Sequence, residues 1–163
     1  MIKTFRGLIV DEAQDTIPLR SNDGTIGYKI VKFEIMTNVP HTAGTDTEHI
    51  VMVWKTKRSA AQLDPADAQG VMTTQPDFSN NQLLGVALSI NDVTGSGHGF
   101  YENIIFDNEI FNQDIYVTQR DEGGSSLACN YYLELEQFPL NLNENTVATL
   151  KDIRNLEYPP AGG

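Results

Sequence analysis

Three histidines, one cysteine and a surplus of carboxylates are the side chains in this chain with chemistry to offer. The run Gly95-Ser96-Gly97-His98-Gly99 sets a serine and a histidine among glycines. The nucleophile turn of a Ser-His-Asp hydrolase has a different spacing, and a histidine this close in sequence is badly placed to act as base to its neighbour. The run reads as a hairpin loop. Cys129 would act as a nucleophile only with a histidine beside it. It opens the apolar stretch Cys129-Asn130-Tyr131-Tyr132-Leu133, which makes it a buried structural thiol. His41 and His49 lack the i, i+4 spacing of a helical zinc pair, and with Asp46 and Glu48 between them they read as solvated loop residues rather than ligands.

The acids gather in two places, at Asp11, Glu12 and Asp15 and at Asp107, Glu109 and Asp114. Neither has the oxygen-ligand spacing of an EF-hand loop. An irregular calcium site is the alternative to acids that face water, and solvated acid is the expectation. Glu134 and Glu136 would stand about 7 Å apart on one face of a strand, inside the span of an inverting glycosidase pair. Every alternating strand has that geometry, so the outward face of a sheet explains the pair. A hydrolase using Glu134, Glu136 or Asp107 has no motif behind it. The sequence therefore points to no catalytic, cofactor-binding or metal-binding residue, no cofactor, and no enzyme.

Charge narrows the partners. Eleven basic against twenty-two acidic residues give a formal net charge of −11. That excludes a protein that wraps nucleic acid or is held electrostatically on an anionic membrane. No Lys or Arg occurs from Ser59 to Gln119, where eight acids fall, so no nucleotide site is expected there. Lys3, Arg6, Arg20, Lys29, Lys32, Lys55, Lys57 and Arg58 all precede residue 59. Were the two halves of the chain to form different surfaces, head-to-tail or ring-like association would be favoured; chance composition is the other explanation. A single cysteine leaves no internal disulfide. No apolar run reaches the roughly 18 residues of a spanning helix, and 1–11 does not have the pattern of a signal peptide.

These residues must be positioned by strands, because the apolar residues recur with a period of two between clusters of Gly, Asn, Asp, Ser and Pro. Strands are expected at 2–10, 16–20, 26–37, 49–57, 83–91, 101–107, 114–120 and 130–138. In 26–37 the apolar phase switches at Ile30-Val31, which predicts a β-bulge or a change of sheet. Apolar residues on both faces make 49–57 a central strand, with Trp54 anchoring the core. Residues 58–81 lose the periodicity and read as an excursion loop, with a helical turn after Asp64-Pro65 and a role as a partner-binding arm. Asn143 caps a late helix on which Val147, Leu150 and Ile153 fall at i, i+3 and i+6. The fold class is all-β: an antiparallel two-sheet sandwich, jelly-roll-like, with one short C-terminal helix. Residues 1–157 form a single domain, and 158–163 an extended tail.

Two stretches carry a resemblance. The first is 16–35, from Thr16-Ile17-Pro18-Leu19-Arg20 through Tyr28-Lys29-Ile30-Val31-Lys32-Phe33-Glu34-Ile35. The second is 105–118, Ile105-Phe106-Asp107-Asn108-Glu109-Ile110-Phe111 through Tyr116-Val117-Thr118, with Cys129-Asn130-Tyr131-Tyr132-Leu133 and 146–155 after it. The chain resembles small, mostly uncharacterised virion structural proteins of marine bacteriophages, most weakly over 60–76. The resemblance implies a capsid, decoration or vertex subunit located in the virion. Its partners would be other virion proteins and further copies of itself, without nucleic acid or membrane. The contact segments expected for such a subunit are 2–10, 58–81 and 158–163. A receptor- or glycan-binding spike or fibre head is the alternative, with Phe100, Tyr101, Phe111 and Tyr116 as stacking candidates. The same aromatics at period two fit a sandwich core, which is the expectation here.

Overall fold

The computed structural model describes residues 1–21, 23–40, 46–63, 73–91, 99–106, 108–141 and 143. Its strands are β1 (Ile2–Ile9), β2 (Ala13–Ile17), β3 (Ile26–Thr37), β4 (Thr47–Trp54), β5 (Leu83–Asn91), β6 (Gly99–Ile105), β7 (Ile115–Asp121) and β8 (Cys129–Pro139), with one helical turn, α1 (Ala60–Leu63), between β4 and β5. They form an antiparallel sheet of three strands, β1-β8-β3, and one of five, β2-β7-β4-β5-β6. The first strand pairs with the eighth, the second with the seventh and the fourth with the fifth. This nesting is that of a long hairpin rolled into two sheets, the jelly-roll arrangement. β6 departs from it, because its ladder is made to β5 and not to β3.

Alternation explains the core. On β8, Tyr131, Leu133 and Leu135 point inward, while Tyr132, Glu134 and Glu136 point out. Opposite them on β3 stand Ile30, Phe33 and Ile35, and Val51, Val53, Leu84, Ile115 and Val117 close the core from the other sheet. Fully burying each such side chain stabilises the fold by about 1.5–3 kcal/mol. The register of β3 against β8 shifts between Ile30 and Lys32, where the apolar phase switches, and leaves Val31 exposed.

A second apolar cluster lies on the outer face of the five-stranded sheet: Ile50, Met52, Trp54, Leu83 and Val86. β4 is thus buried on both faces, and Trp54 anchors this outer layer rather than the inter-sheet core. The described parts of the 58–81 excursion belong to its cover. Arg58 stacks on the Trp54 ring, 4.4 Å from its centroid, and donates to Thr56 and Gln82. Gln14 of β2 accepts from the Arg58 N–H and donates to the Arg58 carbonyl. Phe78 meets Phe106 edge to face at 5.4 Å. A helical turn, α1, falls just before Asp64, where the Ser59 hydroxyl and the Gln62 amide oxygen each accept from the other's main-chain N–H; the turn expected after Asp64-Pro65 lies outside the described residues.

β2 begins three residues earlier than its pattern predicts. Its inward positions are masked in the sequence by a polar residue, Asp15, which accepts a hydrogen bond from the Tyr131 hydroxyl at 3.3 Å. The expected helix beyond Asn143, the tail 158–163 and the core of the excursion, 64–72, lie outside the described residues.

Candidate interaction surfaces

Among the described residues, the acids and the histidine singled out for chemistry are engaged in hydrogen bonds and ion pairs. Asp11 accepts from the Arg120 guanidinium with one oxygen and from the Asp121 N–H with the other, at 2.5 and 2.8 Å. Glu12 and Glu122 lie on the same guanidinium at 3.3 and 3.1 Å. Burial opposes the charge on Arg120, but these carboxylates outweigh it and raise its pKa. The first acidic cluster is therefore an ion-pair site fastening the β1–β2 corner to β7. Asp114 of the second cluster accepts from the Leu19 and Arg20 N–H groups, both at 3.0 Å, and Glu109 meets the buried Lys55 ammonium at 2.9 Å. Asp107 lies outside the described residues. Among the described residues no group of three or more His, Cys, Asp or Glu side chains is placed to hold a metal ion.

His49 is not a solvated loop residue. It is fully buried on β4, and its Nδ1 lies 3.1 Å from the Gln119 amide oxygen. Gln119 in turn donates to the Ile9 and Leu127 carbonyls. The partner that makes this burial tolerable stands 70 positions away, so no local signal announces it. His41 and Ser96 to His98 lie outside the described residues. Cys129 is buried, and burial pushes its thiol up to about 12, far from a nucleophile's range. Glu136 meets Lys29 at 3.2 Å, and Glu134 accepts from the Tyr132 hydroxyl at 2.7 Å, both on the outward face of the three-stranded sheet. The basic and acidic halves of the chain do not form separate surfaces: β8 lies between β1 and β3, and Lys55 and Arg58 are buried.

Several large apolar side chains are exposed among the described residues. Ile2, Leu8 and Val10 are exposed along and just beyond β1, with Met36 in the same cross-strand row as Leu8. Phe100 and Tyr101 are each about half exposed on β6, contrary to the core placement expected for them; β6 is an edge strand of its sheet. Phe111, in contrast, is buried against Tyr28. Tyr116 packs against the outer cluster. A groove of about 440 Å³ runs over the outer face of the five-stranded sheet. Its floor is Ile50, Val86, Leu88 and Ile104, one flank is Phe78, and Glu48 and Glu102 stand at its rim. This lining suits an apolar segment that carries positive charge.

The fold thus defines an antiparallel two-sheet β-sandwich with nested strand order. No protein-family model matches the chain, and no curated protein does. Among solved structures, the capsid protein described as "Crystal structure of 60-mer BFDV Capsid Protein" is 9% identical, covering 86% of this chain and 94% of that one, with a TM-score of 0.16. A likeness that slight transfers neither fold nor function; the strand order above stands on this chain's own pairing. Among the described residues no helix is long and apolar enough to cross a membrane.

Proposed function

We propose that the chain is a structural subunit of a bacteriophage virion, a minor capsid, decoration or vertex protein that acts through protein–protein contacts and not through catalysis. The observation that carries this reading is the placement of the exposed large apolar side chains. Several lie at sheet edges, Ile2, Leu8 and Met36 on one sheet and Phe100 and Tyr101 on the other, while among the described residues Asp11, Asp114 and His49 are tied up by partners distant in sequence. Apolar side chains gathered at a surface mark contact with another macromolecule. The resemblance to phage virion proteins supports the same reading and supplies the particle.

The test is quantitative mass spectrometry of purified virions encoding this chain. Tens to hundreds of copies per particle are expected of a shell or decoration subunit, and a handful of a vertex protein. Absence from the particle overturns the reading. A second reading, a glycan-binding head, is favoured by the exposed rings of Phe100 and Tyr101, since sugar rings stack on such faces. It requires glycan-array binding that is lost in Phe100→Ala and Tyr101→Ala, and a blank array removes it.

A further inference from the structure

We propose that the chain forms a two-fold dimer through the free edge of β1, which pairs antiparallel with β1 of a second copy so that Ile2 of each lies opposite Leu8 of the other. The inference deepens, and rests on, the reading of a subunit that works through oligomeric contacts.

The argument begins with where the main-chain groups of β1 point. The Gln137 N–H donates to the Met1 carbonyl at 2.8 Å, so Met1 and Gln137 form a hydrogen-bonding pair of the β1–β8 ladder. In an antiparallel ladder such pairs alternate with non-bonding ones. The register then gives Lys3, Phe5, Gly7 and Ile9 to β8, and turns the N–H and C=O groups of Ile2, Thr4, Arg6 and Leu8 away from it. Among the described residues nothing bonds these outward groups.

The opposite edge of the same sheet is partly covered. On β3 the groups facing away from β8 are taken at Tyr28 by the Phe111 main chain and at Phe33 by the Asn103 amide. Among the described residues β1 has no such cover. It has no proline, and its register against β8 runs without a bulge; of the devices that blunt an exposed edge it carries only the charges of Lys3 and Arg6. β2, the other strand on this flank, is only five residues long.

Register decides the partner. Outward groups bond outward groups, so even-numbered residues must meet even-numbered residues. A two-fold axis at Arg6 would set Arg6 against Arg6, a repulsive pair. An axis at Thr4 leaves Leu8 without an opposite residue. An axis at Phe5 pairs Ile2 with Leu8 and Thr4 with Arg6, and gives every outward N–H a carbonyl. On the outer face it brings Ile2 onto Leu8, both about half exposed in the single chain. On the inner face Lys3 meets Gly7, so no like charges oppose each other. The strand is self-complementary in main-chain bonds and apolar contact, with no like charges directly opposite, which is what an isologous interface needs.

The test uses the full chain. Light scattering with size exclusion should give twice 18.1 kDa, shifting toward one copy on dilution. Hydrogen exchange should show the Ile2, Thr4, Arg6 and Leu8 amides protected, and increasingly so with concentration. Thr4→Pro removes an outward N–H without touching the β8 ladder; it should be monomeric with an unchanged circular dichroism spectrum. Ile2→Glu combined with Leu8→Glu puts like charges opposite each other twice and should weaken association roughly tenfold or more. Ile2→Lys combined with Leu8→Glu should restore it to within about threefold. A monomer at every concentration, or a dimer indifferent to Thr4→Pro and to the charge pairs, overturns the proposal. Monomers abundant in virions would overturn the dimer alone, and dimers absent from virions would overturn the virion reading alone.

Discussion

The Asn103 side-chain amide donates to the Phe33 main-chain carbonyl, joining β6 of the five-stranded sheet to β3 of the three-stranded one. Phe33 turns that carbonyl away from β8, so without Asn103 it faces the gap between the sheets. The Tyr101 hydroxyl extends the same seam: burial raises its pKa, against a hydrogen bond from the Ile35 main chain that lowers it. This seam is where the nested roll would otherwise carry a β3–β6 ladder. Asn103→Ala should destabilise the protein by about 1 kcal/mol. A urea midpoint shift at unchanged slope would measure it.

Trp54 ties the outer layer together through three contacts. Its indole N–H donates to Thr118 at 2.9 Å, its face carries Arg58, and its body packs among Met52 and Leu83. Arg58 is itself buried, and burial lowers its pKa to about 10, so the ring and the Thr56 and Gln82 oxygens are what make its position tolerable. Trp54→Ala should cost about 3–5 kcal/mol. Trp54→Phe should cost less and be rescued in part by Arg58→Met, which removes the stranded charge. Equilibrium unfolding of the single and double variants gives the coupling directly.

Strand order and strand edges differ in how much of them a sequence carries. The bounds of β3 and its bulge follow from the change of apolar phase at Ile30-Val31, a local signal. The apolar stretch at 49–57 identifies β4 as central, because only a strand covered on both faces tolerates that composition. Which covering it receives is not local: the outer cover comes from residues near Arg58 and Phe78, whose own sequence shows no periodicity. β2 is displaced because Asp15 faces inward to a tyrosine 116 positions away. His49 is buried because Gln119 is there. Phe100 and Tyr101 are consecutive and face opposite sides of β6, which ends a sheet, and nothing in a period-two pattern tells an edge from a centre.

Cys129 gives a chemical test of the core. Burial holds its thiol near 12, so the thiolate that reacts with alkylating reagents is scarce at neutral pH. Native protein at pH 8 should resist iodoacetamide, and urea-unfolded protein should be labelled fully. Labelling followed by intact mass reads both states. Rapid labelling of the native chain would show that the end of β8 opens on its own.

Gly123 sits where a side chain cannot. A Cβ there would lie 2.6 Å from the Asp46 carbonyl oxygen, a main-chain atom just before β4. Gly124 is different: its φ is +90° but nothing crowds it. Gly124→Ala should therefore cost only the left-handed strain of about 1–2 kcal/mol. Gly123→Ala should cost more, because the start of β4 must move. Thermal unfolding of the pair separates crowding from backbone strain.

Asp121 and Asp114 are expected to shape the acid stability of the fold. Burial raises its carboxyl pKa, but N–H groups of Glu48, Leu127 and Gly123, at 3.0, 2.9 and 2.9 Å, together with nearby His49, outweigh that and bring it below the ordinary 3.8. Asp114 is lowered in the same direction: burial raises it, and the Arg20 and Leu19 N–H groups and the Arg20 charge prevail. A carboxyl whose folded pKa lies below its unfolded one binds fewer protons in the native state. Its stabilisation is complete above 3.8 and is lost as pH falls through the folded value. The protein should hold its stability from pH 7 to about 5 and lose it steeply below about 4. In Asp121→Asn the amide oxygen still accepts, but its NH2 group confronts the Leu127 N–H that the second carboxylate oxygen accepted. That variant should be less stable at pH 7 by about 1–3 kcal/mol and should show a shallower decline in acid. Urea titrations across pH 3 to 7 test both statements, and parallel pH curves for variant and wild type would remove Asp121 from the acid response.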